Sequence, residues 1–205
     1  MKEIKLTDRI SYLPAVEHPL SADIVLVRGD SGLFVFDVGN CDAATTYLNE
    51  LHVHKTVILS HFHSDHTARL EDTVFDELYV GNQTFKSVRQ GITVTEPVVL
   101  KDGIEVRIVP IPATHAKGSL LMVADGVVFT GDATYAMWKD GKVIYNSQLL
   151  KGTIDTLKAQ PEDKCYLSHD GGVIRQKEAI LKLLTGIYAK RTSDSPYIVL
   201  NDDEC

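Results

Sequence analysis

Short apolar runs broken by turn-forming or polar residues dominate the first two thirds of the chain. The runs "RISYLP", "ADIVLVRG" and "LFVFDVG" predict strands, with Asp30-Ser31-Gly32 as the hairpin turn between the last two. A helix follows over Asp42 to Leu51, with Asp42 as its N-cap. "TVILS" is apolar and β-branched, which suits a buried strand ending at His61. Further strands are expected at "ELYVG", "PVVL", "IEVRIVP", "SLLMVA" and "VVFTG". Helical spacing returns over Ser147 to Ala159 and over Lys177 to Lys190, where Ile180, Leu183, Leu184 and Ile187 recur at helical intervals. Between these helices "KCYLSHDGG" holds a short strand, and the late "YIVL" predicts an edge strand. Strands alternating with helices around packed sheets imply an α/β layering.

Four of the apolar runs end at or beside a residue able to bind a metal: His61, His115, Asp132 and His169. Donors at the ends of several buried strands, gathered at one edge of a layered fold, make a common kind of site. The densest stretch is "SHFHSDH", Ser60 to His66. His61 and His63 are two apart, a spacing that points both imidazoles the same way on extended or loop backbone but not on a helix. Asp65 and His66 then face differently, so the stretch predicts two metals, each still needing donors from elsewhere. His115 in "PATHAKGSL", Asp132 in "FTGDATY" and His169 in "LSHDGG" meet that need.

In this order the motifs "HFHSDH", a later His followed by Gly-Ser, "FTGD" and a strand-end His resemble the metallo-β-lactamase superfamily. "FDVG", Phe36 to Gly39, is similar to its strand-end Asp-x-Gly turn, so the match runs from Asp37 to His169. The resemblance implies an α+β fold, a four-layer αβ/βα sandwich with the metals at one edge. By motif position, His61, His63 and His115 would hold one ion, Asp65, His66 and His169 the other, and Asp132 would bridge them. Asp37 would orient a ligand imidazole. The implied cofactors are two divalent ions, zinc first, with iron or manganese accepted by the same donors. Two such ions about 3.5–4 Å apart lower the pKa of a bridging water towards about 7. A bridging hydroxide would attack a small ester, thioester or lactone, and Asp65 would take a proton from the nucleophile. A different implied chemistry is that of persulfide dioxygenases, which are similar through His61, His115 and Asp132 and would hold a single iron.

Composition narrows the partners. Apolar residues make up 44% and charged residues 24% of 205 positions, as in a soluble globular protein large enough for its own core. No linker or low-complexity tract interrupts residues 1–205, so one domain is expected. The net charge of −7 and the lack of a basic cluster disfavour nucleic acid. No run of eighteen apolar residues predicts a membrane helix, and the charged "MKEIKLTDR" start lacks the apolar segment of a secretory signal. Cys41, Cys165 and Cys205 are odd in number and far apart, which disfavours a disulfide framework and points to the cytoplasm. The expected partner is a small-molecule substrate, and oligomeric state is left open. About 36 residues follow His169, room for one helix and a strand. The C-terminal helices usual in glutathione thioester hydrolases of the superfamily, or the flavin domain of its diiron members, would need more.

Other chemistry-bearing residues have plainer readings. His52 and His54 precede the "TVILS" strand and should lie about 15 Å from His61, at the opposite edge; His18 has no partner motif. Cys165 reads as a core thiol and Cys41 as helix-start packing. Tyr135 and Trp138, just past Asp132, and Lys117, just past His115, are candidates for the substrate pocket, against turn packing and solvent exposure as the alternatives.

Overall fold

The structure is a computed structural model and describes residues 1–200; Cys205 lies outside the described residues. Eighteen strands and five helices alternate along these residues. The first half comprises β1 (Ile4–Lys5), β2 (Ile10–Leu13), β3 (Val16–Glu17), β4 (Leu20–Ser21), β5 (Ile24–Arg28), β6 (Gly32–Phe36), α1 (Asp42–Glu50), β7 (His54–Ile58), α2 (Ser64–Thr67), β8 (Glu77–Val80), α3 (Asn82–Val88) and β9 (Ile92–Thr93). The second comprises β10 (Val98–Lys101), β11 (Glu105–Ile111), β12 (Ser119–Ala124), β13 (Val127–Phe129), β14 (Met137–Lys139), β15 (Lys142–Asn146), α4 (Ser147–Ala159), β16 (Lys164–Tyr166), β17 (Ile174–Gln176), α5 (Lys177–Ala189) and β18 (Tyr197–Leu200).

A seven-stranded sheet, β1-β2-β5-β6-β7-β8-β9, packs against a six-stranded sheet, β10-β11-β12-β13-β16-β17. Phe34, Phe36 and Ile58 from the first meet Ile108, Met122 and Phe129 from the second in the central core. Ala44 and Leu48 of α1 cover the outer face of the first sheet, against Leu33, Val35 and Val57. Leu150, Ile154 and Leu157 of α4 and Ile180, Leu184 and Ile187 of α5 cover the second, against Val109, Leu121 and Cys165. The architecture is therefore an α+β, four-layer αβ/βα sandwich. A three-stranded sheet, β14-β15-β18, closes one end, with the predicted "YIVL" strand at its edge. Among the described residues, no helix is long and apolar enough to cross a membrane.

Two parallel pairings place the site. β6 and β7 run parallel, with Phe36 opposite Ile58, so Asp37 and the Ser60–His66 stretch leave the first sheet side by side. β13 and β16 run parallel, with Phe129 opposite Tyr166, so Asp132 and His169 leave the second sheet side by side. Leu120 N–H donates to the Ser60 carbonyl (2.8 Å) and ties the two edges together.

Several predicted boundaries shift. The strand before His61 begins at His54, not Thr56, so His54 is a strand residue, with Nδ1 3.4 Å from Asp76. Cys41 is the N-cap of α1 and makes no side-chain cap bond; Asp42 is the first helical residue, where its charge suits the helix dipole. The short polar "NQTFKSV" forms α3, whose seven residues carry too little apolar periodicity to announce a helix.

Candidate metal centre

Asp37 sits at a positive φ of 66°, at the turn where β6 ends, and is fully buried. Its carboxylate accepts from the Ser60 N–H (2.7 Å), the Ser60 hydroxyl (2.8 Å) and His66 Nδ1 (2.7 Å). The Ser60 hydroxyl proton is thus directed at Asp37, so its oxygen accepts from His61 Nδ1 (2.9 Å). His115, on the loop between β11 and β12, donates Nδ1–H to the Ala136 carbonyl (2.8 Å). In all three rings Nδ1 is spent on a protein acceptor, which turns Nε2 of His61, His66 and His115 towards a common centre.

Asp132 Oδ2 lies at that centre. Its distances to Nε2 are 3.2 Å for His115, 3.4 Å for His66, 3.6 Å for His169 and 4.0 Å for His61. Asp65 Oδ2 is 3.2 Å from His169 Nε2 and 3.4 Å from His66 Nε2. His63 Nδ1 is 3.0 Å from His115 Nε2. Two donor groups result, His61–His63–His115 and Asp65–His66–Asp132–His169; within each, the donor atoms lie within 4.8 Å of one another. All seven ligand candidates come together, with Asp37 behind them.

These spacings fit an ion. Donors at about 2.0–2.1 Å from a tetrahedral zinc lie about 3.3 Å apart from each other. His61 Nε2, His66 Nε2 and Asp132 Oδ1 are buried with no hydrogen-bond partner. Each such orphan costs about 1–3 kcal/mol unless something is bound. Neutral imidazoles with carboxylates suit zinc, iron or manganese.

Charge is distributed unevenly. Burial, then the neighbouring rings His66 and His63, holds His61 far below the usual histidine range; burial and His115 also lower His63. Burial works against a charged His66 too, but Asp37 and Asp132 outweigh it and push the ring up to about 10. The hydrogen bond to Asp65 raises His169. Burial alone would raise Asp65, yet His169 and His66 hold it below the ordinary carboxylate value.

Close backbone approach fixes the loops. Gly131, at φ 52°, passes so near Ser60 that an added Cβ would lie 2.5 Å from the serine Cβ. At Gly81 an added Cβ would lie 1.9 Å from the Gly118 carbonyl, on the loop that carries His115. Thr153 of α4 donates to the Pro112 carbonyl (2.6 Å) at the start of that same loop.

The remaining candidates scatter. Tyr135 stands beside the centre, its ring 6.4 Å from that of His115. Lys117 is exposed, and Trp138 is 71% exposed on β14. His54 and His52 stand apart from both donor groups. Sequence reasoning gave Ser60 no role, although it directly precedes His61 at a strand end. It also passed over Asp23, a buried acid opening the apolar β5 run. Ala22 N–H donates to the Asp65 carbonyl (2.9 Å) and Asp23 N–H to the Ser168 carbonyl (3.0 Å), so this segment steadies both flanks of the second donor group. The Asp23 carboxylate in turn accepts from Ala15 N–H (2.7 Å) and the Tyr166 hydroxyl (2.7 Å).

No family model matches the sequence, and no curated protein matches it. Solved structures do match the fold. A B3 metallo-β-lactamase with an active-site glutamic acid aligns at TM-score 0.71 and 12% identity, over 95% of this chain and 91% of its own. The chain has the metallo-β-lactamase fold. An inverting sec-alkylsulfatase from Pseudomonas sp. shares this metallo-β-lactamase sandwich at TM-score 0.71 and 14% identity, over 91% of this chain and 41% of its own. A mutant flavo-diiron protein from Thermotoga maritima does so at TM-score 0.62 and 13% identity, over 92% of this chain and 62% of its own.

Proposed function

We propose that this protein is a dinuclear metal-dependent hydrolase of a small ester, thioester or lactone. The observation that carries the reading is Asp132 Oδ2, a member of the second donor group that lies within 4.0 Å of four imidazole nitrogens drawn from both groups. His61, His63 and His115 would hold one ion, zinc in the first instance, and Asp65, His66 and His169 the other, with Asp132 shared. Bound divalent ions lower the pKa of coordinated water towards about 7 and polarise a carbonyl oxygen. The protein's own part is to hold the donors. Asp37 and Ser60 fix the rings of His66 and His61 from behind, and burial keeps water from competing for the donor atoms. Asp65 is kept ionised, so its Oδ2 is placed to accept a proton from the attacking group.

Convergence of Asp65, His66 and His169 favours this reading over a single-iron persulfide dioxygenase, which would leave them without a shared task. Free thiols at Cys41 and Cys165 support a cytoplasmic setting. The test is a panel of activated esters, thioesters and lactones, assayed with protein as purified, after chelation and after readdition of zinc. Turnover that disappears on chelation and returns with zinc is expected. Metal-loaded protein that hydrolyses nothing in the panel, but consumes oxygen with a persulfide when loaded with iron, would overturn the reading.

A further inference from the structure

A cavity of about 390 Å³ opens beside the metal centre, within the usual range of small-molecule pockets of roughly 300–1,000 Å³. Its walls flank the donors: Thr134 and Tyr135 follow Asp132, Leu167 precedes His169 and Asp170 follows it. Tyr135 joins the two spaces, because its ring lies 6.4 Å from that of His115 and also lines the cavity. The far wall is α5, with Ile180 and Leu184 of its buried face and Leu183 at the exposed rim, and Tyr145 of β15 beside them.

The lining is apolar and its charges cancel. Arg175 and Asp170 are the charged residues there, and they form a two-point ion pair, Nη2 to Oδ1 at 2.6 Å and Nε to Oδ2. Tyr145 spends its hydroxyl on the Thr134 carbonyl (2.9 Å). The Thr134 hydroxyl is buried with no hydrogen-bond partner. At the rim Leu183 is 64% exposed and continues the apolar lining outwards.

We propose that this cavity seats an uncharged apolar arm of the substrate, an acyl chain or aryl ring, while the reactive carbonyl lies at the metal centre. The inference rests on the hydrolase reading. A charged arm would have to break the Arg175–Asp170 pair, whereas an acyl chain covers Leu183 and meets Ile180 and Leu184 without a polar cost.

The experiment has two readouts. Hydrolysis of p-nitrophenyl esters from acetyl to octanoyl should gain about three- to four-fold in kcat/KM per added methylene until the cavity is filled, chiefly through KM. Leu183→Asp, an exposed position that does not threaten folding, should flatten that ladder. Independently of turnover, octanol but not ethanol should shift the methyl NMR signals of Ile180, Leu183 and Leu184 in the 205-residue chain. A flat ladder overturns the proposal, whether or not octanol binds. If no ester is turned over, the hydrolase reading fails by itself; octanol shifts then still support an apolar pocket, and their absence overturns it.

Discussion

His66 and His115 face the same Asp132 oxygen from different donor groups, yet the protein holds them by different means. His66 is fully buried and bonded through Nδ1 to a buried carboxylate, Asp37, which also grips Ser60. His115 is 22% exposed and leans on a main-chain carbonyl, that of Ala136, in the loop just past Asp132. The first brace is a rigid strand end; the second is a loop held at its base by α4 and by the close Gly81–Gly118 approach. Electrostatics follows the same division. Burial and neighbouring rings lower His61 and His63 of one group, whereas nearby carboxylates raise His66 and His169 of the other, where a binding ion must displace protons. The lesson is that one half of the centre depends on side-chain chemistry and the other on backbone placement.

The sharpest way to break this contrast is Asp37→Asn, which keeps the shape and tolerates the positive φ but mismatches the amide with the Ser60 donors. Affinity for the ion at Asp65–His66–His169 should fall about 10–100-fold. Stability should fall by up to about 3–5 kcal/mol, as when one partner of a buried pair is removed. Metal titration and urea unfolding read both, and unchanged metal affinity would show that His66 needs no brace. A smaller effect is expected from Asp23→Ala, which strips the acceptor from Ala15 N–H and the Tyr166 hydroxyl. It should cost about 1–3 kcal/mol. It should also loosen the ion near His169 by less than about tenfold, on the scale known for outer partners of metal ligands. Equal losses at both donor groups would contradict the assignment of Asp23 to the second.

The smallest change serves as a control. Glu3 clamps the first sheet outside both donor groups, through Arg28 Nη2 (2.6 Å), Ser11 and Tyr47. Burial would raise its pKa, but these three partners hold it below the ordinary 4.5. A lowered carboxylate stabilises the fold above 4.5 and loses that contribution as pH falls through its folded value. Glu3→Gln should therefore lower Tm at neutral pH, the gap to the parent should close in acid, and metal content should not change. A pH-independent gap would sink this assignment.

Much of this was legible in the sequence because the informative residues are local. The Ser60–His66 stretch carries four donors on seven residues, and the short apolar runs before His61, Asp132 and His169 announce strand ends. The runs themselves imply strands alternating with helices; the four-layer sandwich came from the resemblance that the motifs carry. What escaped is non-local. Ser60 matters because Asp37, 23 residues away, comes within hydrogen-bond reach of it. Asp23 matters because β5 begins beside the strand end that carries Ser168. The cavity is built from α5, β15 and the loops after Asp132 and His169, and no spacing rule links them. Trp138 drew attention by its place just past Asp132, yet it stands 71% exposed on β14, on the sheet face that Tyr145 shares.

If the proposed reading holds, the two donor groups, sharing Asp132, bind two ions. Metal analysis of protein purified without added metal or chelator tests it most directly. Two divalent ions per chain, falling to one or none in Asp132→Ala, is the predicted result. One ion per chain that survives loss of Asp65 or His169 would contradict it and leave the second donor group without a metal to hold.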